Sequence, residues 1–164
     1  MSPKNLNVIK TPKDLVSKLS NNKINNLFKV FKKNFKIKKS FAVAVSGGPD
    51  SLALAFFTKI FAIKNNLNSK YFLVDHKLRK GSTSEAQKVK KILNNFGIKL
   101  EILTWNGKKP LSNIQSLARE KRYNLLFSKC KSLKISNLIV GHHLDDLFEN
   151  FFIRMTRGSG LKGL

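Results

Sequence analysis

Apolar residues along the chain follow two rhythms. Short, nearly continuous runs at 41–45, 70–75, 98–104 and 137–140 read as strands. Longer stretches with helical periodicity, 50–65, 82–96, 112–131 and 143–157, lie between and after them. Ahead of the first strand, Ile24, Leu27, Phe28, Phe31 and Phe35 recur at helical spacing with Lys29, Lys32 and Lys33 on other faces, which predicts an amphipathic helix packed on the domain. Apolar strands alternating with helices of this length predict an α/β fold, a doubly wound parallel sheet with helices on both faces. The third run alternates more than the others, which predicts a place at a sheet edge. No internal repeat interrupts the order.

Ligands in such sheets bind beyond the carboxyl ends of the strands. Those ends carry Ser46-Gly47-Gly48-Pro49-Asp50-Ser51, Asp75-His76, and Gly141-His142-His143-Leu144-Asp145-Asp146. In the first, two glycines let the backbone turn sharply and bring its N–H groups close to a ligand. Pro49 suits a first helical turn, and the helix start aims its positive end at the same spot. The loop is neither G-x-x-x-x-G-K-[ST] nor G-x-G-x-x-G. A carboxylate, Asp50, stands where a phosphate would dock, and anion beside anion is sensible when a divalent cation such as Mg²⁺ lies between them. Taken alone, Asp50 also reads as a first-turn acid that favours the helix dipole.

Composition narrows the class. The 164 residues suit one domain, and 41% hydrophobic residues supply a core. There is no apolar run of transmembrane length, and no signal peptide pattern at the start. One cysteine, Cys130, excludes a disulfide framework and any C-x-x-C motif, and fits a reducing, cytoplasmic setting. The net charge of +23, from 32 Lys and Arg against nine Asp and Glu, points to a polyanionic partner such as RNA or DNA. The excess of lysine, asparagine, isoleucine and phenylalanine is equally what an A/T-rich genome supplies. The basic lead-in also has an organellar presequence as an alternative reading, which would place the protein in a matrix or stroma; its lack of arginine counts against that.

The acids are sparse and clustered. Asp50, Asp75, Asp145, Asp146 and Glu149, five of the nine, fall in or beside the strand-end segments. His142, Asp145, Asp146 and Glu149 recur at three- and four-residue steps, which puts them on one helix face as metal or proton-transfer groups, or as early-turn acids that stabilise the helix start. Arg119 and Arg122, two of five arginines, share a face three residues apart. Arginine in a lysine-preferring chain suggests bidentate geometry toward phosphate or carboxylate, with an ion pair to Glu120 as the alternative. Ser112 is a plausible N-cap for that helix.

Together these segments resemble the N-type ATP pyrophosphatases, the PP-loop superfamily, and within it the tRNA(Ile)-lysidine synthetase branch. The resemblance runs from about Ser40 to Leu164. It rests on Ser46–Ser51, on Val74-Asp75-His76-Lys77-Leu78-Arg79, on Asn113-Ile114-Gln115 with Ala118-Arg119 and Arg122-Tyr123, on Gly141–Asp146, and on Arg157-Gly158-Ser159-Gly160-Leu161. It implies ATP and Mg²⁺ as cofactors, with tRNA(Ile) bearing a CAU anticodon and free L-lysine as partners. In the reaction it implies, ATP adenylates the C2 oxygen of the wobble cytidine, and lysine then displaces AMP to leave lysidine.

Carried over by resemblance, Ser46, Gly47, Gly48, Pro49, Asp50 and Ser51 would form the cofactor-binding loop, with Ser46, Gly47, Gly48 and Ser51 on pyrophosphate, and Asp75 and His76 would border the adenosine. Asp50 and Asp146 would hold metal. Asp145, Asp146 and Glu149 would handle metal, the lysine ammonium or its proton, with Asp50 and Arg119 completing the catalytic set. Arg79, Arg119, Arg122, His143 and Arg157 would face the adenylate or the tRNA. No membrane partner is implied, and a homodimer is an assembly the resemblance leaves open.

The expected organisation is a basic N-terminal helical extension over 1–39 and a catalytic domain over 40–164, incomplete at its C-terminus. The family carries further tRNA-gripping regions beyond that point, so a fragment, a truncated gene product or a minimal catalytic domain is expected. Asn150 follows Glu149 where the family has threonine, and Leu147 replaces a polar residue. Three rival readings differ in class. A thiolase of the same superfamily would need a catalytic cysteine, and a metal phosphohydrolase would need His-Asp pairs on packed helices. The third is a non-catalytic RNA-binding module.

Overall fold

The two rhythms become strands and helices in strict alternation. The computed structural model describes residues 12–107 and 114–141. Over these the chain forms α1 (Pro12–Ser17), a 3-10 turn (Lys18–Ser20), α2 (Asn22–Asn34), β1 (Phe41–Ala44), α3 (Pro49–Lys64), β2 (Ser69–Asp75), α4 (Ser82–Asn94), β3 (Leu100–Thr104), α5 (Ile114–Ser132) and β4 (Asn137–Val140). The helix expected over 143–157 and the N-cap Ser112 lie outside the described residues.

All strand pairs are parallel, in the order β3-β2-β1-β4. Register is fixed by Phe41 opposite both Ser69 and Asn137, and by Tyr71 opposite Leu100. The alternating strand β3 is at an edge, as its pattern predicts. Successive residues point to opposite faces, so each strand feeds two layers. Phe41, Val43, Tyr71, Leu73 and Leu100 join the core beneath α3 and α4. Ala42 and Phe72 pack on the other face with Leu126 and Cys130 of α5. Helices thus cover both faces, which is why β1 and the middle of β2, residues 71–74, are continuously apolar. Each fully buried Phe, Ile or Leu contributes about 1.5–3 kcal/mol on burial.

Helix α2 starts at Asn21, whose side-chain oxygen accepts from the N–H groups of Lys23 (3.0 Å) and Ile24 (3.3 Å). Its inner stripe is aromatic. Phe31 stacks on Phe57 at 5.6 Å, and Phe35 meets Phe61 edge-on at 4.9 Å. Leu27, expected on that stripe, instead faces solvent with 60% of its surface exposed. Positions 28, 31 and 35 span the buried arc, and position 27 falls about 40° outside its edge.

Topology sets the site. From β1 the chain moves outward through β2 to β3, then returns to place β4 on the far side of β1. Loops leaving β1 and β4 therefore diverge, and a crevice opens above the carboxyl ends at this switch point.

Candidate functional site

The β1–α3 loop is held from within. The Val45 N–H bonds the Phe72 carbonyl at 2.8 Å, carrying strand pairing one residue past β1. Gly47 then takes a φ of +94°, and a Cβ there would sit 2.8 Å from Val89 Cγ2 on α4. Both the left-handed backbone and the close approach require glycine. Gly48 caps α3 in an extended conformation and Pro49 occupies its first turn. The Ser51 hydroxyl, on a residue only 3% exposed, accepts from the N–H groups of Ser46 (3.2 Å) and Gly47 (3.1 Å) and donates to the Gly48 carbonyl (2.9 Å). It also meets Ser46 Oγ at 3.1 Å. One buried hydroxyl thereby fixes the cradle from beneath. The amides of Asp50 and Ser51 precede the first intrahelical bond, Leu52 N–H to Gly48 O at 3.1 Å. Asp50 is exposed in that first turn. Gly141, just past β4, lies so close that a Cβ would come within 3.3 Å of Ser51 Cα.

The β2–α4 loop is held by a carboxylate. Asp75 is buried, and its Oδ1 accepts from the Lys77 N–H (3.0 Å) and Ser82 Oγ (2.8 Å), its Oδ2 from Thr83 Oγ1 (2.6 Å). Burial pushes this carboxyl up. The hydrogen bonds from Thr83, Lys77 and Ser82, with the Lys77 charge, outweigh burial and hold it below the ordinary carboxylate range. Lys77 at φ 52° and Gly81 at φ +94° let the loop curl back to make these contacts. His76 turns toward Arg122, whose Nε donates to His76 Nε2 at 3.4 Å. Burial and the Arg122 charge, against the pull of Asp75, keep the imidazole pKa low. With Nε2 as acceptor the ring is neutral and carries its proton on Nδ1.

These loops wall an open cavity of about 890 Å³ above the sheet. That size is within the range of small-molecule and cofactor sites. Its described lining includes Ser46, Gly48 and Ser51 from the first loop, His76 and Arg79 from the second, and Arg122 from α5. Pro49 and Asp50 sit between lining residues without lining it themselves, and Arg119 stands outside it, its guanidinium 5.9 Å over the Tyr123 ring. Arg79 pairs with Glu85, both exposed. Asp75 borders the cavity, but both carboxylate oxygens serve the loop. His143, Asp145, Asp146, Glu149 and Arg157 lie outside the described residues.

Three contributors were absent from the candidate set. Ser82 and Thr83 complete the Asp75 clamp, and Val89 presses on Gly47. Their only sequence signal is a Ser-Thr pair at a helix start seven and eight residues after a strand-end acid.

A glycine cradle at a helix start, above a parallel sheet and at its switch point, defines a nucleotide-binding α/β domain. The chain belongs to the PP-loop domain family, an ATP-binding family whose pattern matches residues 17–164 and so takes in α2. Among curated relatives, the tRNA(Ile)-lysidine synthase of Orientia tsutsugamushi is 45% identical over 137 residues, 84% of this chain and 30% of that one. Those of Rickettsia bellii and Rickettsia felis are each 42% identical, over 75% and 86% of this chain and 29% and 32% of theirs. The chain thus spans about 30% of the length of the curated relatives it matches. Among solved structures, the U34-tRNA thiolase NcsA of Methanococcus maripaludis superposes with a TM-score of 0.67 at 21% identity, covering 92% of this chain and 53% of that one. At that identity the match speaks for the fold alone.

The donor chemistry suits a hard divalent cation. Asp50 offers an exposed carboxylate beside the amides that would hold phosphates. Among the described residues there is no cluster of three or more His, Cys, Asp or Glu. Mg²⁺ needs none, since one or two carboxylates plus phosphate oxygens hold it.

Proposed function

We propose that this chain is the nucleotide-activating part of a tRNA(Ile)-lysidine synthetase. It would join L-lysine to C2 of the wobble cytidine of a CAU anticodon at the expense of ATP. The observation that carries this reading is the Ser51-stapled cradle at the switch point, in a chain 41–45% identical to curated lysidine synthases. The amides at the α3 start, with the loop around them shaped by the Ser51 hydroxyl, would bind pyrophosphate as it leaves the α-phosphorus. Asp50 would hold Mg²⁺, with Asp146 as a second ligand, and the ion supplies charge neutralisation for the departing pyrophosphate. Adenylation turns the C2 oxygen into a leaving group. The lysine amine attacks C2, AMP departs with that oxygen, and the amine gives up a proton.

Asp145, Asp146 and Glu149 are the proposed acceptors of that proton and holders of the lysine ammonium. Arg122 would face the adenylate phosphate from the cavity wall, its guanidinium oriented by His76. Arg119, with Arg79, His143 and Arg157, would contact the tRNA. Residues 40–164 are proposed as the catalytic domain and 1–39 as the extension. Sulfur transfer by this chain is disfavoured because Cys130, its lone cysteine, is buried against the sheet, and burial pushes its thiol pKa up. The test is lysine-dependent AMP release with CAU-anticodon tRNA. The parent chain should show it, and Asp50→Asn should abolish it while leaving RNA binding intact. No lysine-dependent AMP from the parent would reject the catalytic reading.

A further inference from the structure

Helix α5 carries a second feature, a row of side chains that winds from its sheet-facing side out to solvent. Leu126 and Cys130 point inward and are buried. Arg119, Tyr123, Phe127 and Lys131 recur every four residues, a stripe about 18 Å long that turns about 40° per step away from the azimuth of Leu126 and Cys130. Three of its members are already coupled. The Arg119 guanidinium lies 5.9 Å over the Tyr123 ring, and Tyr123 stacks on Phe127 at 5.8 Å with 26° between planes. Phe127 is 56% exposed, the one aromatic among the exposed large apolar side chains of the described residues. At the other end the stripe joins the cavity, because Tyr123 is one of its lining residues.

An exposed aromatic on a helix flank costs hydration and contributes little to the core. Here it extends a cation–aromatic–aromatic–cation row that begins at the mouth of the nucleotide cavity. Unpaired bases stack on aromatic rings whatever their sequence, while flanking cations take up backbone phosphates. A covering protein segment would need the apolar rings but not a cation at each end. The net charge of +23 points the same way.

We infer that Arg119, Tyr123, Phe127 and Lys131 form a stacking platform for single-stranded RNA, holding a nucleotide next to the one that enters the cavity. This rests on the proposed function for the identity of the RNA, but not for the binding itself. The outer face of Phe127 takes a base, and Arg119 and Lys131 take the phosphates on either side.

The test is equilibrium binding of the full chain to two RNAs, a CAU anticodon stem–loop and an unstructured oligouridine. The variants are Phe127→Ala, Phe127→Trp and Lys131→Ala, with melting temperature and ATP affinity measured alongside. Phe127→Ala should weaken both RNAs by about 5- to 150-fold, the range for losing one stacked base. Melting temperature and ATP affinity should stay unchanged, Phe127→Trp should retain binding, and Lys131→Ala should reduce its salt dependence. RNA affinity within twofold of the parent overturns the platform. So does a fall in melting temperature with RNA affinity lost only through unfolding, which would mark Phe127 as covered by a later segment of the chain. A shift from dimer to monomer with RNA affinity retained would likewise overturn it, in favour of a second copy. Failure of the parent to bind either RNA also refutes it. If Phe127→Ala weakens both RNAs and the parent releases no lysine-dependent AMP, the platform stands and the lysidine reading falls.

Discussion

The loops after β1 and β2 begin alike and are built to opposite ends. Each leaves a parallel strand at the same rim, bends through a left-handed residue and enters a helix, and each is fastened by one buried polar side chain. In the first the fastener is the Ser51 hydroxyl, which takes up the Ser46 and Gly47 amides from below. The carboxylate of that loop, Asp50, stays exposed at the helix start. In the second the fastener is the carboxylate itself, and Asp75 spends both oxygens on Lys77, Ser82 and Thr83. A neutral hydroxyl inside the first loop does the fastening there, so that loop's carboxylate is not one of its internal ties. A carboxylate inside the loop is consumed by it. Position at a strand end therefore does not assign a role; where the charge points does.

That contrast is sharpest in paired substitutions. Asp50→Asn should lower ATP-dependent turnover by about 10²–10³-fold, the scale of losing one electrostatic contact to the developing charge. Its stability should fall by no more than about 1 kcal/mol, the scale of one first-turn helix acid. Gly47→Ala should cost roughly 2–4 kcal/mol in urea denaturation, from left-handed strain plus the forced contact with Val89. Nucleotide affinity measured by calorimetry should fall with it. Asp75→Asn should do the reverse of Asp50→Asn, lowering stability by about 2–3 kcal/mol while its folded fraction still binds ATP. Ser51→Ala should cost about 1–2 kcal/mol and weaken ATP binding, because the loop amides lose their internal acceptor.

The smallest effects are in pH. Asp75 is held below its ordinary pKa, so the clamp contributes fully above about pH 4 and is lost as pH falls through the lowered value. Chemical denaturation of Asp75→Asn across pH 3–6 should lack that acid limb. His76 is also lowered, so the folded chain takes up fewer protons than the unfolded one below about pH 6.5. Stability should decline from pH 6.5 toward 5, and His76→Gln should flatten the slope.

The sheet was legible because parallel strands buried on both faces leave continuous apolar runs. Even the edge position of β3 showed in its alternation. The glycine cradle was legible for a similar reason, since Gly47 and Pro49 are demanded by local backbone geometry. The Asp75 clamp was not. Its donors, Ser82 and Thr83, are contributed by the next helix, and nothing local separates an acid that binds a ligand from one that binds its own loop. Leu27 shows the same limit. Helical spacing admits it to the stripe, but the arc that α3 covers is narrower than the apolar arc of α2.

In the proposed reaction the β1–α3 loop holds the pyrophosphate half of ATP during adenylation. The most direct test uses ATP labelled at the γ-phosphate, incubated with the chain, Mg²⁺ and CAU-anticodon tRNA. The label should emerge as pyrophosphate, stoichiometric with tRNA before lysine is added, and should vanish in Asp50→Asn but persist in the folded fraction of Asp75→Asn. Label appearing as orthophosphate with ADP, or pyrophosphate release indifferent to Asp50→Asn, would contradict it.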